Sequence, residues 1–326
     1  MKSLFDATEI GGMSLKNRFI RAAVADKTAD GSIDDEVVGL YRALARGGVG
    51  TIVTGYTLVD DAEKMLPIAA FYDDSFLDGH RRLTEAVHGH NGNIVLQLVY
   101  VGSYVAAKDV SGVIALAPSA VPNLISGTMA REASAKELES IRQKFAQAAL
   151  RAKEAGYDGV EIHAAHGFLL SQFMTPYYNR RTDLYGGAAE NRSRMLLETY
   201  DAVRGAVGPN FSIWAKINST DGIDGGLTLE DCLYLCKNLT QHGIDAIEVS
   251  GKWFSFPIEA RAYFEDPARK IAEENAVAVI LTGGNRDCKE MTRLLNDSGI
   301  GYFGMARPFM KEPDLIRRFQ KEMSEP

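Results

Sequence analysis

Eight short runs rich in Val, Ile and Leu alternate with eight amphipathic stretches along this chain, and that alternation limits the folds open to it. The runs fall at 18–24, 50–57, 93–99, 158–163, 211–218, 245–250, 277–282 and 301–305. Unbroken apolar character over so few residues predicts strands buried on both faces, as in a parallel sheet covered by helices. The stretches between them, near 34–46, 75–90, 134–155, 190–206, 228–241, 265–275, 287–296 and 311–322, have helical periodicity. Asp34, Ser134, Thr228 and Asp287 stand where a helix N-cap is wanted, and Gly47, Gly156 and Gly243 where a helix stops. Eight β-α units in 326 residues, with no Pro/Ser-rich linker, predict one domain over 1–326 with the α/β (β/α)8 (TIM) barrel fold. A doubly wound open sheet is the alternative. It wants a glycine-rich first turn, whereas the first run here leads into AVADKTADG. The weakly periodic segment 100–133 predicts a long excursion, such as a cap over a site.

Charge and cysteine content narrow the function classes. The chain has 36 basic and 43 acidic side chains and no run of Lys and Arg, which argues against a nucleic-acid surface. No apolar run approaches the roughly 20 residues that cross a bilayer, so no membrane partner is expected. The first residues lack the apolar core of a signal peptide, and a cytoplasmic location is the expectation. Three cysteines form no disulfide framework, and Cys232 and Cys236, four apart, read as buried helix packing rather than a metal site. Gly299, Gly301 and Gly304 match G-x-G-x-x-G, but only 22 residues follow, too few for a dinucleotide-binding βαβ unit.

In a (β/α)8 barrel the site lies at the C-terminal ends of the strands. Gly283 and Gly284 end the seventh run and Arg307 follows the eighth, the places where such barrels hold phosphate. A tight turn beside a surface arginine is the other reading. His163 and His166 leave the fourth run together and suit two roles, donors to a developing oxyanion or metal ligands. A zinc site wants a third ligand, and beyond Glu161 on the same strand nothing marks one. Lys216 could neutralise a cofactor charge or form a Schiff base with a carbonyl. Gln97 offers an amide to a flat heterocycle with adjacent C=O and N–H groups.

The stretch 161–192, EIHAAHGFLLSQFMTPYYNRRTDLYGGAAENR, resembles the old yellow enzyme family of FMN-dependent NAD(P)H oxidoreductases. Further matches run in order through LKNRF, ARGGVGTIVTG, VLQL, APSA, GGLT, TGG and ARPFMKEPDL, and cover nearly the whole chain. The resemblance implies a barrel with FMN at its mouth and NADH or NADPH as reductant. It implies that Ala23, Val24 and Ala25 pack on the flavin ring, with Tyr56 close by, and that Gln97 pairs with the pyrimidine edge. Lys216 would then face N1 and the C2 carbonyl, and Gly283, Gly284, Ala306 and Arg307 would hold the phosphate. It also implies that His163 and His166 bind the carbonyl oxygen of an α,β-unsaturated substrate, whose Cβ receives hydride from flavin N5. Tyr100, Tyr104, Phe168 and Trp253, with Phe254, would roof the pocket for that small molecule, or serve loop packing. Asn179, Arg181, Asp183, Tyr185, Glu190, Asn191 and Arg192 read as bracing of the loop after the fourth strand. The oligomeric state is open, a homo-oligomer included.

Four departures from the family pattern carry consequences. The proton-donating Tyr is Phe168, which has no proton to give. Either water, Tyr56, Tyr100 or Tyr104 supplies it, or the chain is a flavin oxidoreductase without efficient alkene reduction. A His and an Arg are lost from the segment 97–103, and Ala25 replaces a small polar or thiol residue. The three cysteines cannot supply the four-cysteine cluster of the dienoyl-CoA reductase branch, and its C-terminal FAD/NAD domains are not found in these 326 residues. Outside this class, a Schiff-base lyase built on Lys216 is the alternative.

Overall fold

The computed structural model describes residues 1–105, 115–251 and 261–324. A hairpin of β1 (Thr8–Ile10) and β2 (Met13–Leu15) precedes the barrel. The barrel strands are β3 (Phe19–Arg21), β4 (Thr51–Val53), β6 (Asn93–Val99), β9 (Gly159–Ala164), β10 (Ser212–Asn218), β11 (Ala246–Ser250), β12 (Ala278–Thr282) and β13 (Tyr302–Met305). All neighbours are parallel, and β13 pairs with β3 while β4 pairs with β6, which closes the eight-strand ring. β5 (Thr57–Leu58) adds to the edge of β6, and β7 (Leu116–Ala117) pairs with β8 (Arg131–Glu132) in the excursion.

The helices that cover the barrel are α1 (Asp35–Arg46), α2 (Leu77–His88), α3 (Ala135–Glu154), α5 (Ala189–Val207), α6 (Leu229–His242), α7 (Glu265–Glu274), α8 (Cys288–Asp297) and α10 (Leu315–Ser324). Short α4 (Leu169–Met174) and α9 (Arg307–Lys311) follow β9 and β13. The four expected N-caps all form: Asp34 accepts from Val37 N, Ser134 and Thr228 make capping boxes, and Asp287 accepts from Lys289 N. Gly47 and Gly243 cap α1 and α6, while Ala155 caps α3 one residue before Gly156. Among the described residues no helix is long and apolar enough to cross a membrane. Cys232 and Cys236 lie buried on α6 with their sulfurs 3.9 Å apart, in the apolar layer between helices and barrel.

Three boundaries differ from expectation by more than two residues. The run 18–24 yields a strand only over Phe19–Arg21. The run 50–57 breaks after Val53, because Gly55 lies too close to the chain at Val24 and Asp26 for any side chain. The helix expected near 311–322 is two helices, broken at Glu312-Pro313-Asp314, where proline cannot continue the helical ladder. The hairpin was unforeseen, yet Gly11-Gly12 has φ of +56° and +80°, a pair of left-handed residues that a two-residue turn requires. Ile10, Met13 and Leu15 plug the N-terminal end of the barrel, so only the other end is open for chemistry.

Buried Glu63 holds the start of the excursion. Its carboxyl accepts from Val101 N and Gly102 N, both at 2.9 Å. Burial pushes its pKa up to about 8 despite those bonds. Folded Glu63 therefore keeps its proton between its unfolded pKa near 4.5 and about 8, while the unfolded chain has lost it. Its contribution to stability falls by ~1.4 kcal/mol per pH unit as pH rises through that window. Glu63→Gln should flatten this part of the stability–pH curve in denaturant titrations at pH 5, 7 and 8.5. An unchanged slope would remove Glu63 as its source.

Candidate active site

Alternate residues of each barrel strand face inward. At the plugged end these are Ile20, Val53, Val95, Trp214, Ala246, Ile280 and Tyr302, a wholly apolar layer apart from the indole N–H and phenol. Two residues further along the same strands stand Gln97, Lys216, Glu248 and Thr282, joined by Glu161 and His163 from β9. The period of two thus carries the barrel interior from apolar to polar in one step toward its open end.

The polar layer is a connected array. Lys216 Nζ donates to Glu248 Oε1 at 2.7 Å, from the neighbouring strand in register. Gln97 Nε2 donates to Glu161 Oε2 at 2.5 Å, again across paired strands. Glu161 and Glu248 bear on each other electrostatically across this layer. Burial, then the charge of Glu248, push Glu161 well above the usual carboxylate range. Burial also opposes ionisation of Glu248, but the Lys216 ammonium and hydrogen bonds outweigh it and hold Glu248 below that range. The oxygen of the Gln97 amide, Oε1, is buried and has no protein donor. A buried acceptor left open is costly, so it calls for an N–H from outside the chain.

Beside Lys216 lie the histidines. His163 and His166 are edge-to-face with ring centroids 5.2 Å apart. Burial, then the charges of His166 and Lys216, put His163 well below the ordinary imidazole value; burial, then Lys216, puts His166 at about 3. Both rings are neutral at physiological pH. His163 Nδ1 accepts from Ala165 N at 3.3 Å, which assigns its proton to Nε2. His166 sits at φ +60°, a left-handed conformation unusual outside glycine, pinned by its N–H donating to Asn218 Oδ1 and its Nε2 at 2.9 Å from Ser250 Oγ. Phe168 stands 4.7 Å from the His163 ring centroid, with Tyr56 and Tyr104 at 5.3 and 5.0 Å from Phe168. Tyr100 is outside this group: it is buried, and Glu63, Asp60 and Glu137 are the carboxylates that bear on its hydroxyl. Trp253 and Phe254 lie outside the described residues.

Gly283 and Gly284 follow β12, with φ of +120° and +81°, and a cavity of about 680 Å³ is lined by them, Ala306 and exposed Arg307. A Cβ on Gly284 would lie 2.6 Å from Ala262 N, so only bare backbone fits. Tyr263 was not anticipated; its hydroxyl accepts from Arg307 at 3.1 Å and Arg286 at 2.9 Å. Ala23, Val24 and Ala25 run from β3 past Gly55, whose N–H donates to Asp26 Oδ2 at 2.9 Å. Tyr41 also donates to Asp26, and Arg21 donates to Val53 O at 2.8 Å, so this segment is fixed from two sides.

The structure therefore brings Gln97, Lys216, His163, His166, Phe168, Tyr56 and Tyr104 to one end of the barrel. Glu248, Asn218 and Ser250 were missed, although the spacing of two from Trp214 and Ala246 aims them at the same place. Nζ of Lys216 is held by a carboxylate, whereas Schiff-base chemistry needs a free amine. The loop after β9 is structural: Arg181 pairs with Asp183 at 2.6 Å and donates to Pro118 O and Ala133 O, tying the excursion down. Arg192 pairs with Asp231 on α6.

The model of the NADH:flavin oxidoreductase / NADH oxidase family matches residues 3–325. A metal reductase of Desulforamulus reducens is 34% identical over 97% of this chain and 48% of its own length. An NADPH dehydrogenase of Bacillus velezensis is 31% identical over 99% of this chain and 96% of its own. This chain spans about half the length of the first curated relatives it matches. Among solved structures, morphinone reductase in complex with tetrahydroNAD superposes with a TM-score of 0.85 at 28% identity, covering 99% of this chain and 91% of that one.

Proposed function

Because this chain belongs to the NADH:flavin oxidoreductase / NADH oxidase family, whose cofactor is FMN, we propose that it reduces activated C=C bonds of small α,β-unsaturated carbonyl compounds with NADH or NADPH. The observation that carries this reading is the pair of neutral histidines at the open end of the barrel, beside a buried lysine and an amide acceptor with no protein donor. The residues fit FMN. Gln97 Oε1 wants an N–H of the kind the pyrimidine edge presents. The glycine backbone at 283–284 and the Arg307 cation form a cradle for its phosphate. FMN supplies the transfer of hydride from the nicotinamide to the alkene.

The chain's own part is electrostatic and steric. His163 presents an Nε2–H donor to the carbonyl oxygen, and His166 offers a second ring nitrogen beside it. As the bond order shifts, negative charge moves onto that oxygen, and donors already in place strengthen with it. Phe168, Tyr56 and Tyr104 cover the substrate with aromatic surface and exclude water. Tyr56 and Tyr104 flank the Phe168 ring, so the two phenols are the candidates for delivering a proton to Cα that Phe168 cannot give.

The visible spectrum tests the cofactor: bands at about 370 and 450 nm are expected, with FMN released on denaturation. Anaerobic stopped flow then tests the reaction, because reduced enzyme mixed with 2-cyclohexen-1-one should reoxidise. Reoxidation by oxygen but not by the enone would leave a flavin oxidoreductase without alkene reduction. Phe168→Tyr should speed enone reduction by up to ~10²-fold if proton delivery limits it. An unchanged rate would mean that a flanking phenol or water already delivers the proton fast enough.

A further inference from the structure

Lys216 does not face the open end as an uncompensated cation. Its side chain and that of Glu248 are 4% and 0% exposed, and the 2.7 Å contact between them is made inside the barrel. Gln97 with Glu161 and Lys216 with Glu248 form two hydrogen-bonded pairs side by side on four consecutive strands of the ring. In the second pair the ammonium of Lys216 and the carboxylate of Glu248, 2.7 Å apart, offset each other's charge.

We propose that Glu248 is a positioning residue that sets the electrochemical potential of the bound FMN by cancelling the charge of Lys216, so that the pyrimidine edge of the flavin meets a neutral array. This rests on the reading above that Gln97 and Lys216 border that edge. Reduction by hydride adds two electrons and one proton to the flavin, so its net charge falls by one. A bare cation beside the edge would favour the reduced form. A carboxylate at hydrogen-bond distance removes most of that advantage, because little solvent screens either charge. The array also has a geometric consequence. Glu161 accepts from one end of the Gln97 amide and so fixes its other end, Oε1, as the open acceptor.

The test is the midpoint potential of the holoenzyme, measured by dye equilibration, together with its affinity for sulfite, which adds to flavin N5 and reports positive charge at the far edge. Glu248→Gln keeps the shape and removes the charge. It should raise the ratio of reduced to oxidised flavin at a fixed ambient potential ten- to a hundredfold, ~30–60 mV upward, with tighter sulfite binding. A second comparison fixes the charge at position 216. The comparison is therefore repeated between Lys216→Arg and Lys216→Arg/Glu248→Gln, since a guanidinium stays charged. If Lys216→Met lowers the potential but neither Glu248 comparison raises it, the role of Glu248 is wrong and the site reading stands. If Lys216→Met also leaves the potential unmoved, the placement of Lys216 beside the flavin fails, and the proposal with it.

Discussion

Replacing both His163 and His166 by alanine is expected to lower the rate of enone reduction by ~10³-fold or more. Removal of one preorganised oxyanion donor typically costs ~10²–10³ in turnover, and here two ring nitrogens are lost from a buried, water-poor site. Binding of a simple phenol, which presents a similar oxygen to the same donors, should weaken in parallel. The flavin is best reduced photochemically in this experiment, so that the result does not depend on how the nicotinamide sits. Enone turnover that survives in the double variant would remove the histidines from the carbonyl site. The neutrality of the pair adds a second expectation. Both rings are held below the ordinary imidazole pKa near 6.5, so neither titrates at that ordinary value. The enone rate should show no inflection near pH 6.5 from these groups. The unfolded chain does bind those protons, so their contribution to stability is present above pH 6.5 and is lost as pH falls below it.

The sequence carried most of the fold because a barrel strand is covered on both sides and reads as an unbroken apolar run. Asn93–Val99 matches its expected limits, and five others move by a residue at the start, at the end, or at both. The errors fall where tertiary contact overrides local pattern. Gly55 ends β4 because Asp26 and Val24 crowd it, and no feature of the run 50–57 announces that neighbour. The site was legible in part for a similar reason. His163, Lys216 and Gln97 stand out as polar residues closing apolar runs. Glu248 sits inside AIEVS, where one acid in a short strand reads equally well as an outward-facing residue on an exposed edge. Only its register, two residues beyond Ala246 and opposite Lys216, puts it inside the barrel. Tyr263 could not be read as part of the site at all, since its tie to Arg286 and Arg307 joins residues 23 and 44 positions away.

The buried pair of Lys216 and Glu248 leads to the largest stability effect expected of any single change here. Lys216→Met, measured in flavin-free protein so that cofactor binding does not enter, should cost ~3–5 kcal/mol, because it leaves a carboxylate in a site that cannot solvate it. A kcal/mol moves the melting temperature by ~2–4 °C in a domain of about 150–250 residues and by less in a larger one, so the fall should be up to roughly 10 °C. The cost is the loss of a partner and not the loss of a favourable bond alone. Lys216→Met/Glu248→Met, which removes both charges and fills the space with apolar atoms, should therefore recover most of it. The two outcomes separate two views of the array. If the double variant is as unstable as the single one, the ion pair holds the barrel interior together by itself. If the double variant is near wild type in stability, the fold does not need these charges. A barrel that tolerates two apolar residues at 216 and 248 keeps a lysine and a carboxylate there for what they do to the ligand at the open end.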